Sequence, residues 1–338
     1  MQRFKCFSIK HWFLACTLSA FSVSAFTGLL TVSSSASANS FTNTGIVDTH
    51  LESTAAQASP TDNKYEVPKR IVSAGGSITE IIYALGAQGA LVATDTSSSF
   101  PHSVSDLPKV GYYRQLSAEG ILSFSPDTLL MLEGGGPDGV IQQLSRLGVE
   151  VIELEQPRSI DGLYTLIRTI GNQLERQPQA QALIDKIDSE ISALSASPTN
   201  SQNTVKSLQT SIQPAFLMSV NERGIMAAGT QTTPNLIMQL LNIENPFDQF
   251  KGFKPISSEM LIGSNIDVLF LPSHQAQGRT QSQLCAMPAL KQWAAKKGCN
   301  IQIVDSLKFL GLTPRIASAA SSMREALKTP HLILGQSE

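Results

Sequence analysis

The sequence predicts an α/β protein: two α/β lobes joined by one long helix, with a ligand cleft between the lobes. Three observations lead there. Short apolar runs bounded by turn residues alternate with amphipathic stretches, the pattern of a mostly parallel sheet covered on both faces. A motif of the first half recurs 140 residues later. Between the two halves runs a single helical stripe, Leu183, Ile184, Ile187, Ile191 and Leu194, with Asp185, Lys186, Asp188 and Glu190 on its wet side.

Residues 1–38 read as a secretory signal. Arg3, Lys5 and Lys10 form a basic start, an apolar run extends from Trp12 to about Val32, and Ala36 and Ala38 stand in the small-x-small arrangement that favours cleavage after Ala38. A membrane anchor is the alternative, but Thr17, Ser19, Ser22 and Ser24 interrupt the run; Cys16 has too short an apolar lead to be a lipid-attachment site. Residues 39–66, rich in Ser, Thr, Asn, Gln and Ala, are expected to be a disordered tether. The remaining chain divides into an N-terminal lobe (67–175), the linking helix (176–196) and a C-terminal lobe (197–338), since it exceeds one comfortable core.

In the first lobe, Arg70–Ala74 is a buried strand. Gly75-Gly76 turns, and Ser77 with Glu80 is expected to form a capping box for a helix through Gly86. Leu91–Thr94 is a strand, Ser117–Ser123 a short helix, Thr128–Leu132 a strand, Pro137–Leu147 a helix and Val149–Leu154 a strand. Ile160–Leu174 is amphipathic, and Gln177-Pro178 starts the linking helix. After a polar stretch from Ser195 to Gln213, Ala215–Met218 is a strand and Thr233-Pro234 caps and starts a helix through Leu241. The repeat is specific in detail. Leu116-Ser117-Ala118-Glu119, followed by Asp127-Thr128-Leu129-Leu130, is echoed by Ile256-Ser257-Ser258-Glu259, followed by Asp267-Val268-Leu269-Phe270, and Tyr113-Arg114 falls opposite Phe253-Lys254.

Composition narrows the function. The whole chain carries −2; loss of the signal removes three positive charges and no acid and leaves −5, which argues against nucleic acid or an anionic bilayer as partner. No second apolar run approaches a membrane span. Beyond the signal, two cysteines remain, Cys285 and Cys299. They are either a disulfide or two separate buried thiols, and an oxidising compartment favours the bond. Glu133-Gly134-Gly135-Gly136-Pro137 lacks the Gly-Lys-Ser/Thr of a phosphate loop and suits a plain turn into a helix. No nucleophile elbow, zinc-protease motif or acid pair points to an enzyme.

The chemistry concentrates in Gly111-Tyr112-Tyr113-Arg114. An ionised tyrosine oxygen is a hard ligand suited to ferric iron. A neighbouring guanidinium favours the phenolate and can also grip a carboxylate. A ferric haem presents both requirements, an open axial position and propionates. The plain alternative is a pair of half-buried loop aromatics beside a solvated arginine.

Taken together, these features resemble the substrate-binding proteins of ABC importers whose lobes are joined by one backbone helix, the carriers of haem, iron–siderophores and cobalamin. The resemblance spans about Val67 to Leu334. Val110–Gly120, Met226–Gly229 and Leu310–Arg315 resemble the haemin-binding branch. It implies haem as the transported ligand and Tyr112 as the axial ligand of its iron. It also implies a periplasmic location, cleft roles for Tyr113, Arg114, Lys254 and Arg315, and docking of Glu119 and Glu259 on a two-fold permease. Arg315 is otherwise a surface arginine, and each glutamate is otherwise a favourable acid in a first helical turn. Where some members of the branch supply a histidine, this chain reads Ser219-Val220-Asn221-Glu222-Arg223, so one protein ligand on iron is expected. His274, after a strand's end, is a solvated loop histidine or a second ligand. Siderophore or corrinoid carriage stands as the alternative, and more remotely an exported haem chaperone or sensor without a transporter.

Overall fold

The structure is a computed structural model that describes residues 69–196, 212–222 and 224–328. The segments read as a signal (1–38) and a tether (39–66), together with Arg223 and His331, lie outside the described residues.

The first lobe alternates strand and helix: β1 (Ile71–Ala74), α1 (Gly76–Ala84), β2 (Leu91–Thr94), α2 (Ala118–Leu122), β3 (Thr128–Leu132), α3 (Asp138–Arg146), β4 (Glu150–Leu154) and α4 (Ile160–Gln173). The four strands form one parallel sheet in the order β2-β1-β3-β4. Every residue of β1 and β3 is buried, which is why both read as unbroken apolar runs rather than as alternation. Helix α1 begins two residues earlier than a cap at Ser77 would allow. Its N-cap is Gly75, at φ 144°, and no side chain caps it. Ser77 is therefore helical, and Glu80 is freed from capping to face the other lobe.

Helix α5 (Gln177–Ala196) follows, 20 residues and so about 30 Å long. It crosses α4 closely: a Cβ on Gly171 would stand 2.6 Å from the Cβ of Ala180. Ala180, Ile184 and Ile187 are buried on its inner face.

The second lobe contains β5 (Pro214–Asn221), β6 (Gly224–Ala228), α6 (Thr233–Leu240), β7 (Phe253–Ile256), α7 (Ser258–Gly263), β8 (Val268–Pro272), α8 (Ser273–Ala276), α9 (Gln281–Cys285), α10 (Pro288–Lys297), β9 (Ile301–Val304), α11 (Ser306–Leu310) and α12 (Ile316–Lys328). Its sheet, in the order β7-β6-β5-β8-β9, is mixed rather than parallel throughout. Strands β5, β8 and β9 are parallel, while β6 turns back against β5 at Gly224 and β7 runs antiparallel to β6. The cap of α6 is Thr232, whose Oγ1 accepts from Asn235 N–H at 3.3 Å; Thr233 Oγ1 donates to the Leu310 carbonyl instead.

The internal repeat is a repeat of structure. Ser117 Oγ caps α2 by accepting from Gly120 N–H at 3.0 Å, and Ser257 Oγ caps α7 by accepting from Met260 N–H at 3.1 Å. Asp127 Oδ2 accepts from Arg70 N–H at 2.8 Å, and Asp267 Oδ2 from Gln213 N–H at 2.9 Å. Each aspartate thus ties the start of its lobe's first strand to the strand that pairs with it.

One apolar core runs from the first sheet through α4 and α5 into Phe216, Phe270 and Phe309 of the second lobe and the inner face of α12. A second cluster fills the outer side of the second sheet around Trp293, whose indole N–H donates to the Ile266 carbonyl at 2.8 Å. There Cys285 and Cys299 form a disulfide, with Cα atoms 5.9 Å apart. Among the described residues, no helix is long and apolar enough to cross a membrane.

Candidate ligand-binding cleft

Between the lobes lies a cleft of about 1190 Å3, at the large end of small-molecule sites. It opens where the strands of both lobes end, the usual place for ligand groups in such sheets.

The first lobe presents Tyr112, Tyr113 and Arg114 to it. The loop that carries them leaves β2 through hydrogen bonds between Thr94 and the 108–110 segment, then turns at Gly111 (φ 93°), a conformation that costs glycine least. The glycine run lies beneath this loop. Gly136 N–H donates to the Tyr113 carbonyl at 3.0 Å, and Leu116 N–H donates to the Gly136 carbonyl at 2.8 Å. A Cβ on Gly135 would stand 2.6 Å from Met131 Cε, 3.1 Å from the Leu132 carbonyl oxygen and 3.3 Å from that of Tyr113. The run read as a plain turn is therefore a seat for the tyrosine loop, and it needs the absence of side chains.

The two phenols have different circumstances. Tyr113 is buried, and its hydroxyl accepts from Arg114 Nε at 2.9 Å. Burial, then the adjacent Tyr112, pushes its pKa above the ordinary tyrosine range against the pull of Arg114, so it stays protonated. Tyr112 is 43% exposed, with its ring edge-on to Tyr113 at a centroid separation of 4.9 Å. Burial works against the charge of Arg114, but both phenols outweigh it and raise the guanidinium's pKa, so the cation is secure. The result is one accessible phenol and one fixed positive charge side by side at the cleft wall.

The second lobe contributes Met218, Phe253 from β7, His274 from α8, and Ser306, Leu307 and Leu310 from α11. Gly311 and Leu312 continue that wall. Phe253 occupies the place in the repeat that Tyr113 has in the first lobe, and it follows Gly252 (φ 73°) as Tyr112 follows Gly111. Burial lowers the pKa of His274, which keeps the imidazole neutral at neutral pH.

Lys254 and Arg315 do not line the cleft. Lys254 is exposed on β7; successive strand residues face opposite ways, and Phe253 takes the cleft side. Arg315 bridges the lobes instead. Its Nε donates to Glu80 Oε2 at 3.0 Å, its Nη1 to Asp305 Oδ2 at 3.1 Å, and its Cζ lies 3.8 Å from the centroid of the Phe100 ring. Glu80 is 3% exposed; burial raises its pKa although Arg315 opposes the rise. Asp305 is held below its usual range despite burial, by the Lys308 backbone N–H and by Arg315. Close by, a Cβ on Gly76 would stand 2.5 Å from Leu307 Cδ1, so the lobes touch at this end of the cleft.

Glu119 and Glu259 stand exposed in the first turns of α2 and α7. The Glu259 carboxyl is held low by its own backbone N–H and by the Ser257 hydroxyl. Arg158 lines the cleft and pairs loosely with Glu133 at 3.8 Å. No motif marks it in the sequence; its place after β4, where strands of a parallel sheet end, is the only signal that could have found it.

Residues 71–306 match the sequence profile of a family described as periplasmic binding protein. Among solved structures, the periplasmic heme-binding protein HutB of Vibrio cholerae is 30% identical, with a TM-score of 0.67 over 77% of this chain and 98% of that one. Among characterised sequences, the vitamin B12-binding protein of Yersinia pestis (strain Pestoides F) is 25% identical over 63% of this chain and 72% of that protein. The ABC transporter substrate-binding lipoprotein YvrC of Bacillus subtilis, itself uncharacterised, is 26% identical over 60% of this chain and 63% of that protein.

Proposed function

Since the chain belongs to the periplasmic binding protein family, a family of extracytoplasmic substrate-binding transport proteins rather than enzymes, we propose that it binds ferric haem and delivers it to an ABC permease. The observation that carries this reading is the pair at the cleft wall: an accessible Tyr112 phenol beside the Arg114 cation, with Tyr113 buried and protonated behind them. Iron would hold the Tyr112 oxygen as phenolate. Arg114 stabilises that anion and is free to pair a propionate through the guanidinium edge that Tyr113 does not use. Leu132, Met218, Phe253, Leu307 and Leu310 supply apolar wall for a flat macrocycle.

Among the described residues no group of three or more His, Cys, Asp or Glu side chains could hold a bare metal ion. This suits iron that arrives already held in a ring. In this reading the chain is exported by cleavage after Ala38, and Glu119 and Glu259 each meet one half of a permease dimer.

The similarity to a vitamin B12-binding protein favours corrinoid as the second reading. A corrinoid has no use for a phenolate, which is why haem ranks first. The test is a titration of the purified chain with ferric haem and, in parallel, with cyanocobalamin. Haem is expected to bind with a high-spin tyrosinate spectrum, marked by a charge-transfer band toward the red that Tyr112→Phe abolishes or shifts and Tyr113→Phe leaves largely intact. Binding of cyanocobalamin alone, or a haem spectrum unaltered by Tyr112→Phe, would overturn the reading.

A further inference from the structure

Of the two arginines that line the cleft, Arg114 has a task in the proposed function and Arg158 has none. The backbone around Arg158 is held. It lies between β4 and α4, directly before Ser159, whose Oγ caps α4 by accepting the Gly162 N–H at 3.1 Å. The side chain is not held. It is 62% exposed, and its ion-pair partner among the described residues is Glu133, 51% exposed, at 3.8 Å. A pair so long and so wet contributes less than about 1 kcal/mol to the fold, so exchanging one of its members costs little.

Glu133 is placed by the chain rather than by Arg158. Its N–H donates to the Leu154 carbonyl at 2.7 Å, and the next N–H, that of Gly134, donates to Glu153 Oε1 at 3.1 Å. These two consecutive residues meet both arginines. Arg158 reaches Glu133, and Arg114 Nη1 would stand 3.4 Å from a Cβ on Gly134. Two guanidiniums therefore flank one turn on the same wall of the cleft. A haem carries two carboxylates on one edge of its ring, and a single cation leaves one of them unmatched. Arg158 already holds a carboxylate of the protein's own, but loosely. A cargo carboxylate free to align with the guanidinium fork makes the shorter, two-pronged contact that Glu133 does not.

We propose that Arg158 recognises the second propionate of haem by exchange of counterions: Glu133 occupies the guanidinium in the empty carrier, and the cargo's carboxylate displaces it. This rests on the haem reading above and adds a specificity device to it. Arg114 and Arg158 together select a ring with two free carboxylates over a corrinoid, whose ring carries amides in their place. Glu133 is a competing anion built into the carrier, and it sets how tightly the cargo is held.

The test is a titration, followed by the tyrosinate band, with ferric haem and in parallel with its dimethyl ester, whose propionates are capped and uncharged. Arg158→Gln should weaken haem binding by about 3- to 10-fold and leave binding of the ester as it is in the unaltered chain. Glu133→Gln should tighten haem binding by about 2- to 5-fold, and that gain should vanish in the double variant Glu133→Gln with Arg158→Gln. A rim pair that serves the fold alone gives no gain from Glu133→Gln, and plain repulsion of the cargo by Glu133 gives a gain that survives in the double variant. Thermal denaturation of each variant checks that the fold is kept. Arg158→Gln without effect on haem, or equally harmful to the ester, would overturn the proposal while the haem reading stands. So would a Glu133→Gln gain that is absent or that persists without Arg158. No change in the haem spectrum on mixing with the unaltered chain would instead defeat the haem reading, and this proposal with it.

Discussion

Replacing Arg315 with leucine should damage this protein in a way that depends strongly on pH. The Glu80 carboxylate is 3% exposed and the Arg315 side chain 17%, so the pair is shielded from water. Taking away one member of such a pair strands the other, a loss of about 3–5 kcal/mol at neutral pH. Asp305, at 43% exposure, regains water and contributes little to that figure. The stranded Glu80 has one escape, which is to take a proton. Its pKa is already raised by burial, and Arg315 is what restrains the rise.

The sign follows from that. An acid whose folded pKa lies above its unfolded value binds more protons folded than unfolded, so stability is present below the unfolded pKa and is lost as pH climbs through the folded one. Without Arg315 the folded pKa moves further up and the window of loss widens, at about 1.4 kcal/mol per pH unit at its steepest. Urea unfolding followed by far-UV circular dichroism and by Trp293 fluorescence should show a deficit that is large at pH 7.5 and much smaller at pH 5. The double variant Glu80→Leu with Arg315→Leu should recover most of it, because two apolar side chains leave no stranded charge. A deficit below about 1 kcal/mol at pH 7.5, or one equal at both pH values, would refute the account of a buried interlobe ion pair.

Other outcomes follow from the same coordinates. Cys285→Ser with Cys299→Ser removes a bridge spanning 14 residues and should lower stability by about 3 kcal/mol, with no change in the spectrum of bound haem. Gly135→Ala pushes a methyl against two backbone carbonyls and should cost about 1–3 kcal/mol, displacing the tyrosine loop and weakening haem binding measured by titration. Lys254→Ala should leave haem affinity within error of the unaltered chain, since the side chain lies outside the cleft. Glu119→Lys with Glu259→Lys should stop permease-dependent uptake in cells while the purified chain titrates with haem normally; a parallel loss of haem binding would refute separate docking and binding surfaces.

What could be read from the sequence divides along a physical line. Local rules were enough for the buried strands β1 and β3, for the serine caps of α2 and α7, and for the repeat, whose paired aspartates each staple a first strand. These depend on neighbours a few residues away or on a strict period. Local rules failed where a distant partner decides. Ser77 and Glu80 have the spacing of a capping box, but Gly75 starts the helix earlier and Arg315, 235 residues away, claims the glutamate. The β5–β6 hairpin was missed because the turn into Gly224 carries a weak signature between short strands. Tyr112 and Arg114 were legible as neighbours, but only the family resemblance, not a local rule, singled out Tyr112 over Tyr113; that Tyr112 is exposed and Tyr113 buried depends on packing that the local residues do not spell out.

The unbroken apolar core that threads α5 also has a consequence for transport. A receptor whose halves share one core has little freedom to swing, so its outline changes little when cargo enters. A permease touching only Glu119 and Glu259 would then feel nearly the same footprint from an empty carrier as from a full one. On the docking proposed above, delivery would depend on what the membrane partner does to the carrier after contact, at the end where Arg315 grips Glu80, and visits by empty carriers would compete with import.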